Sequence, residues 1–118
     1  MSASNPTIAP AEAFVLRSLI TPTEQGIASR VLTRNAGGNI TLFAFDAGQG
    51  LSEHTSPFEA LVLTLEGRLI LTIGGTPVTA NPGTIVRMPA NVPHGVDAPE
   101  PARMLLIMLR DAPAAAAR

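Results

Sequence analysis

The sequence predicts an all-β sandwich or barrel preceded by an N-terminal arm or short helix. Apolar and polar residues alternate over much of residues 27–110, as expected of strands with one buried face. Turn segments rich in glycine and proline recur about every eight to twelve residues, which is typical of sandwiches and barrels. The length of 118 residues suits one domain with a single core.

The composition limits the classes of function. Apolar residues make up 46% of the chain and charged residues only 14%, so the chain is apolar enough to fold but carries little charge for a lone monomer. The formal net charge is -1 and the arginines are scattered, which predicts no nucleic-acid partner. The chain has no cysteine, so disulfides and thiolate metal sites are excluded.

The sequence also predicts no membrane partner and a cytoplasmic location. The N-terminal stretch MSASNPTIAPAEA lacks the basic start and apolar centre of a secretory signal. No apolar run approaches the length of a membrane span.

The N-terminal part is expected to be an arm over residues 1–26. Within it, AFVLRSLI (13–20) suits either a short helix or an extended segment laid across the body, and TPTEQG ends it. The tail, residues 111–118, is poor in bulky apolar residues and is expected to be flexible. The β-domain is therefore expected over residues 27–110.

Five to eight short strands are expected within this domain. IASRVLTR (27–34) and ITLFAFD (40–46) form a hairpin pattern around the turn NAGGN. The other strand-like segments are EALVLTLEG (59–67), RLILTIGG (68–75), TPVTA (76–80), TIVRMP (84–89) and PARMLLIMLR (101–110).

The segment 59–65 is apolar on both faces of the predicted strand. One face carries Ala60, Val62 and Thr64, and the other carries Leu61, Leu63 and Leu65. A strand buried on both faces needs cover outside the sheet as well as inside it. With so little charge in the chain, we expect a second copy to supply that cover in a homodimer. The alternative is an N-terminal arm folded over its own sheet.

Two segments resemble the two motifs of the cupin superfamily. These motifs have the forms Gly-x5-His-x-His-x3-4-Glu-x6-Gly and Gly-x5-Pro-x-Gly-x2-His-x3-Asn. Their columns hold Gly48, His54, Ser56, Ala60 and Gly67 in the first motif and Gly83, Pro89, Asn91, His94 and Ala98 in the second. The resemblance covers roughly residues 27–110, and MPANVPH is its most specific part.

The resemblance implies a double-stranded β-helix, the jelly-roll cupin barrel, with a site inside it. In the family, three histidines and a glutamate converge on one metal within the barrel. Here His54 and His94 remain, whereas Ser56 stands in the other histidine column and Ala60 in the glutamate column. Glu59 is adjacent, but one step along a strand turns a side chain to the opposite face. The metal motif is thus partly degenerate.

The favoured interpretation is a small-molecule-binding cupin of unassigned role, with the ligand in the barrel between His54 and His94. Ser56, Ala60 and Thr64 complete the expected ligand site, since they share the face of His54. The alternative is a metal-dependent cupin enzyme of the dioxygenase, isomerase or decarboxylase type. It would use His54 and His94 as ligands of a divalent transition metal (Fe, Mn, Ni, Cu or Zn).

Two further hypotheses stay open. The protein could be a structural or protein-binding module whose barrel is packed shut. Met88, Met104 and Met108 are expected to fill the core as pliable apolar side chains. The second hypothesis is that one of these methionines ligates copper through its thioether beside the two histidines. It requires that methionine to point inward at the depth of the imidazoles.

Overall fold

The computed structural model describes residues 7–110, and this part of the chain is almost entirely β-structure. One short 3-10 helix, Leu16–Leu19, precedes the strands. The strands are β1 Ile27–Asn35, β2 Gly38–Phe45, β3 Gln49–His54, β4 Glu59–Glu66, β5 Leu69–Ile73, β6 Thr76–Ala80, β7 Ile85–Met88, β8 His94–Ala98 and β9 Ala102–Leu109. The all-β prediction is confirmed. Within residues 7–110, no helix has the length and apolar character needed to cross a membrane.

The strands form two antiparallel sheets. The larger sheet has the order β1-β2-β9-β4-β7, and the smaller has the order β3-β8-β5-β6. The last strand, β9, therefore lies at the centre of the larger sheet, between β2 and β4. Each sheet brings together strands from both halves of the chain, so its register depends on pairing between residues that are distant in sequence.

The core lies between the two sheets and is made of alternate residues from their inner faces. Phe45, Val62, Leu69, Leu71 and Met104 are fully or almost fully buried in one cluster. Burying an apolar side chain of this size contributes about 1.5–3 kcal/mol. Val62 has the inward parity expected from the sequence for the strand over 59–65.

A second apolar cluster lies around the N-terminal arm. Its buried members are Ile20, Leu32, Leu42 and Ala44. The side chain of Arg30 donates a hydrogen bond to the carbonyl oxygen of Leu19 at 3.1 Å, and the backbone N–H of Ile8 donates to Leu32 at 2.9 Å. The arm thus packs on its own sheet, where its cluster includes Leu65 but neither Leu61 nor Leu63 of the outer face of β4. The homodimer stays a prediction.

The structure has nine strands, one more than the largest number expected, and two of them, β3 and β8, were not among the strand-like segments named from the sequence. Both are short, and their sequences QGLSEH and HGVDA contain glycine and acidic residues, which have weak β-propensity. They become strands because they pair with each other, and β8 also pairs with β5. As a result, both histidines of the chain lie on adjacent strands of the smaller sheet.

Gly67 lies at the corner where the chain passes from β4 in the larger sheet to β5 in the smaller one. Its φ is 72°, a left-handed conformation that side chains other than glycine rarely adopt. A Cβ atom at this position would also collide with the carbonyl oxygen of Pro101 and would lie 2.9 Å from the Cβ of Ala102. Only glycine lets the corner pass this close to the start of β9.

Candidate functional site

His54 and His94 are cross-strand partners at the ends of β3 and β8. Their ring centroids are 4.5 Å apart, and the ring planes meet at 66°, an edge-to-face contact. His94 lies on a central strand and is only 7% exposed, whereas His54 lies on the edge strand and is exposed. The structure therefore brings the two rings together, with one ring buried and the other accessible to solvent.

Each imidazole is held by a backbone carbonyl two residues before it. The Nδ1 atom of His54 lies 2.9 Å from the carbonyl oxygen of Ser52, and that of His94 lies 3.0 Å from the carbonyl oxygen of Val92. A carbonyl oxygen can only accept, so these hydrogen bonds assign the proton to Nδ1 in both rings. In the neutral ring, the Nε2 atom then carries the free lone pair.

A cavity of about 70 Å³ lies beside the two imidazoles, between the sheets. At roughly 10–15 Å³ for each water position, this volume has room for about five water molecules. Its polar lining residues are His54, Ser56 and His94, and the others are apolar. The cavity therefore suits a small ligand or one end of a larger ligand.

The other predicted site residues differ in depth. Ser56 lines the cavity, and its hydroxyl oxygen accepts a hydrogen bond from the backbone N–H of Phe58 at 3.1 Å. Ala60 lines the inner wall and is 5% exposed. Thr64 is fully buried in the core and is not among the residues that line the cavity. Its hydroxyl oxygen has no hydrogen-bond partner among the described residues.

Met88, Met104 and Met108 also line the cavity. Ala60 is the cross-strand partner of Met88 on β7 and of Met108 on β9. These three residues form one row across the larger sheet, on the face that lines the cavity. Met104 lies farther along β9, where its partner is Thr64. Sequence alternation indicates which side chains point inward, but the neighbours of Ala60 follow only from the pairing of three strands.

Phe58 lines the cavity as well, although the motif columns do not include it. Its parity matches that of Ala60, two residues later on the same segment, and this was the available signal in the sequence. The guanidinium of Arg110 lies 5.1 Å from the centroid of the Phe58 ring. This contact places a cation against an aromatic residue of the cavity wall.

The lining contains no carboxylate. Glu59, next to Ala60 in sequence, instead forms an ion pair of 2.9 Å with Arg87, and both side chains are partly exposed. Arg87 is the cross-strand partner of Leu61, which has the same parity as Glu59. Within residues 7–110, no three or more His, Cys, Asp or Glu side chains are grouped so that they could hold a metal ion.

Comparisons with known proteins agree with this architecture. The family model described as Cupin domain matches residues 41–108. A conserved protein of unknown function from Streptococcus pyogenes is similar in structure, with 31% sequence identity and a TM-score of 0.85, over 95% of this chain and 97% of that chain. A search of curated proteins finds no match.

Two further solved structures are similar. A cupin superfamily protein from Desulfitobacterium hafniense has 27% identity and a TM-score of 0.83, over 92% of this chain and 100% of that one. A cupin 2 conserved barrel domain protein from Leptotrichia buccalis has 32% identity and a TM-score of 0.79, over 82% of this chain and 47% of that one. Together with the two-sheet topology, these similarities confirm the predicted jelly-roll fold.

Proposed function

This chain belongs to the cupin superfamily, and from that premise we propose that it binds a small molecule in the cavity between His54 and His94. The observation that supports this proposal is that both imidazoles line one mostly apolar cavity, with their Nδ1 atoms already hydrogen-bonded to backbone carbonyl groups. An apolar pocket with a few convergent polar groups is the usual form of a small-molecule site. The cupin fold by itself assigns no activity, so the cavity carries the proposal.

The lining defines the chemical class of the ligand. Two Nε2 lone pairs favour a ligand whose polar end donates a hydrogen bond, such as a hydroxyl or N–H group. The apolar wall, which includes Leu51, Val96 and Leu106, suits an apolar body. A cationic ligand is disfavoured, because no carboxylate lines the cavity to compensate its charge. The ligand is therefore a small neutral molecule with a donor at one end.

The family's divalent metal fits these side chains poorly. In the family, three imidazoles and one carboxylate hold the metal. This cavity supplies two imidazoles, with Ser56 in the column of the third histidine and Ala60 in that of the glutamate. Two neutral nitrogen donors leave the charge of a divalent ion uncompensated among apolar side chains. We derive no catalytic step through such a metal, and the metal-dependent enzyme is the weaker proposal. The module packed shut is also weaker, because a cavity lies where it requires filled space.

Titration with matched fragments tests the proposed ligand class. We expect phenol, which donates a hydrogen bond, to bind more tightly than toluene, and to shift the ring resonances of His54 and His94 in NMR spectra. Replacing His94 with leucine should reduce the preference for phenol, because one of the two Nε2 acceptors is lost, and replacing both histidines should abolish it. Asp97→Asn, at an exposed position on the same strand, is the matched control. Equal affinity for the two fragments in the unaltered protein would contradict the proposal.

A further inference from the structure

We propose that the protein forms a two-fold symmetric dimer through the outer apolar face of its larger sheet, and that the occupant of this face is a second copy of the chain. The outer apolar face is defined by five residues of β4, β7 and β9, namely Leu61, Leu63, Ile85, Ile107 and Leu109. The inference does not depend on the small-molecule proposal, because the cavity lies on the opposite side of the same sheet.

The first support is that this face is apolar and lacks cover within residues 7–110. The arm packs over Leu65 and Leu105, whereas the five residues of the outer apolar face belong neither to the cluster of the arm nor to the core cluster. Ile85 is 58% exposed and Leu109 is 45% exposed. A contiguous apolar patch on the surface of a folded protein typically marks an interface.

The second support is the shape of the face. Ile85, its most exposed residue, lies at one corner. A hollow of about 220 Å³ lies at the opposite corner, where Ile40, Ile107 and Leu109 and the turn between β1 and β2 border it. A face that carries both a projecting side chain and a hollow can be complementary to itself, which is what a two-fold contact requires.

The third support is that one two-fold axis satisfies both corners at once. Leu61 is one strand and one row of residues away from Leu109 on β9, and equally far from Ile85 on β7 in the opposite direction. Strands are about 4.8 Å apart and alternate residues of a strand about 6.8 Å apart, so each distance is about 8 Å. A two-fold axis past Leu61, in the plane between two copies, therefore seats Ile85 of each copy at the hollow of the other.

The fourth support is charge complementarity under the same rotation. Glu59 and Arg87 form an ion pair at the rim of the face, and their side chains are 38% and 59% exposed. The axis past Leu61 brings Glu59 of one copy over Arg87 of the other, so opposite charges meet at two symmetric places. The net charge of -1 for each chain adds little repulsion between the copies.

Sedimentation equilibrium of the full chain tests the inference. We expect the mass of two chains, which falls towards the mass of one chain on dilution. Ile85→Asp should weaken dimerisation by at least about a hundredfold, because an anchor side chain of an interface contributes about tenfold or more and the symmetry places the change in the interface twice. Since Ile85 is exposed in the single chain, the variant should fold, and circular dichroism checks this.

Thr79→Asp is the matched control. Thr79 is also a β-branched residue at an exposed strand position, but it lies on β6 in the smaller sheet. The same new charge at this position should leave the dimer intact. In a mixture of isotope-labelled and unlabelled chains, filtered NMR spectra should also show proximity between the Ile85 methyl groups of one copy and the Leu109 methyl groups of the other.

Exchange of the rim charges tests the orientation of the two copies. Glu59→Arg and Arg87→Glu should each weaken the homodimer, because each variant places like charges opposite one another. An equal mixture of the two variants should recover the dimer, since every Arg then faces a Glu of the other chain. This recovery is specific to pairing between chains, because within each variant chain the two rim charges still have the same sign.

Three results would overturn the inference. These are the mass of a single chain at every concentration, a dimer that Ile85→Asp leaves intact, and a dimer that Thr79→Asp weakens as much as Ile85→Asp does. With a single chain at every concentration, residues 111–118 or a different protein would be the remaining candidates to cover this face. Phenol binding by the Ile85→Asp variant should equal that of the unaltered protein, so failure of the dimer is distinguishable from failure of the small-molecule proposal.

Discussion

Replacing Thr64 with valine tests whether this residue belongs to the core rather than to the binding site. Thr64 is fully buried, and its hydroxyl oxygen has no hydrogen-bond partner within residues 7–110. A buried, unsatisfied polar group costs about 1–3 kcal/mol, and valine has nearly the same shape without the hydroxyl. We therefore expect Thr64→Val to raise the free energy of unfolding by about 1 kcal/mol or more.

Urea denaturation measures this change as an increase in the midpoint without a change in the m-value. In a thermal scan, a gain of 1 kcal/mol corresponds to about 3–6 °C for a chain of this size. Thr41→Val is the matched control. Thr41 is also buried, but its hydroxyl donates to the side-chain oxygen of Asn39 at 3.2 Å. Its replacement should destabilise the protein, because a hydrogen bond is lost and Asn39 loses a partner.

Phenol titration of the Thr64→Val variant shows whether Thr64 contributes to ligand binding. Because Thr64 lies outside the cavity lining, affinity for the fragment should equal that of the unaltered protein. A variant that is less stable than the unaltered protein would refute the reasoning about the unsatisfied hydroxyl. Weaker phenol binding by a fully stable variant would instead show that Thr64 belongs to the ligand site, as its shared face with His54 predicts.

Two further predictions concern the scaffold. Gly67→Ala should lower the free energy of unfolding by more than the 1–2 kcal/mol that a left-handed conformation costs other residues, because the new Cβ also collides with Pro101; an unchanged thermal midpoint would contradict this. Asp46 accepts backbone hydrogen bonds from Gln25 and Ala47 at 2.6 Å and 2.8 Å, which lower the pKa of its carboxyl group. The Asp46 carboxylate should therefore stabilise the folded state fully at pH values above the unfolded-state pKa of about 3.9. This stabilisation should be lost as the pH falls through the pKa of the folded state, which is lower. The amide resonances of Gln25 and Ala47 should titrate in that acidic range, and Asp46→Asn should remove the transition; titration at or above the ordinary value would contradict it.

Much of the fold could be predicted from local patterns. The alternation in 27–34 and 40–46 predicted β1 and β2, and the glycine and proline turns predicted most later strand boundaries. The strands β3 and β8 were missed, because glycine and acidic residues give them little intrinsic preference for strand structure. Their pairing partners, rather than their own sequences, make them strands.

The candidate site could be predicted only in part. Motif spacing singled out His54 and His94, and the structure makes them cross-strand partners. Thr64 was grouped with Ser56 and Ala60 because all three share one face of the strand. Sharing a face does not determine how far from the cavity each residue lies. Thr64 lies four residues beyond Ala60 on the same strand, about 13 Å away, which takes it past the cavity and into the core.

The amino-acid sequence by itself determined which side chains point inward, where the turns lie and which two residues stand at the histidine columns. These properties are local, because strand alternation and turn chemistry depend on neighbours along the chain. Tertiary structure decided that Met88 and Met108 flank Ala60, that both Nδ1 atoms are bonded to backbone, and that the arm covers its own sheet. Those properties depend on the register between strands far apart in sequence, which no local pattern specifies.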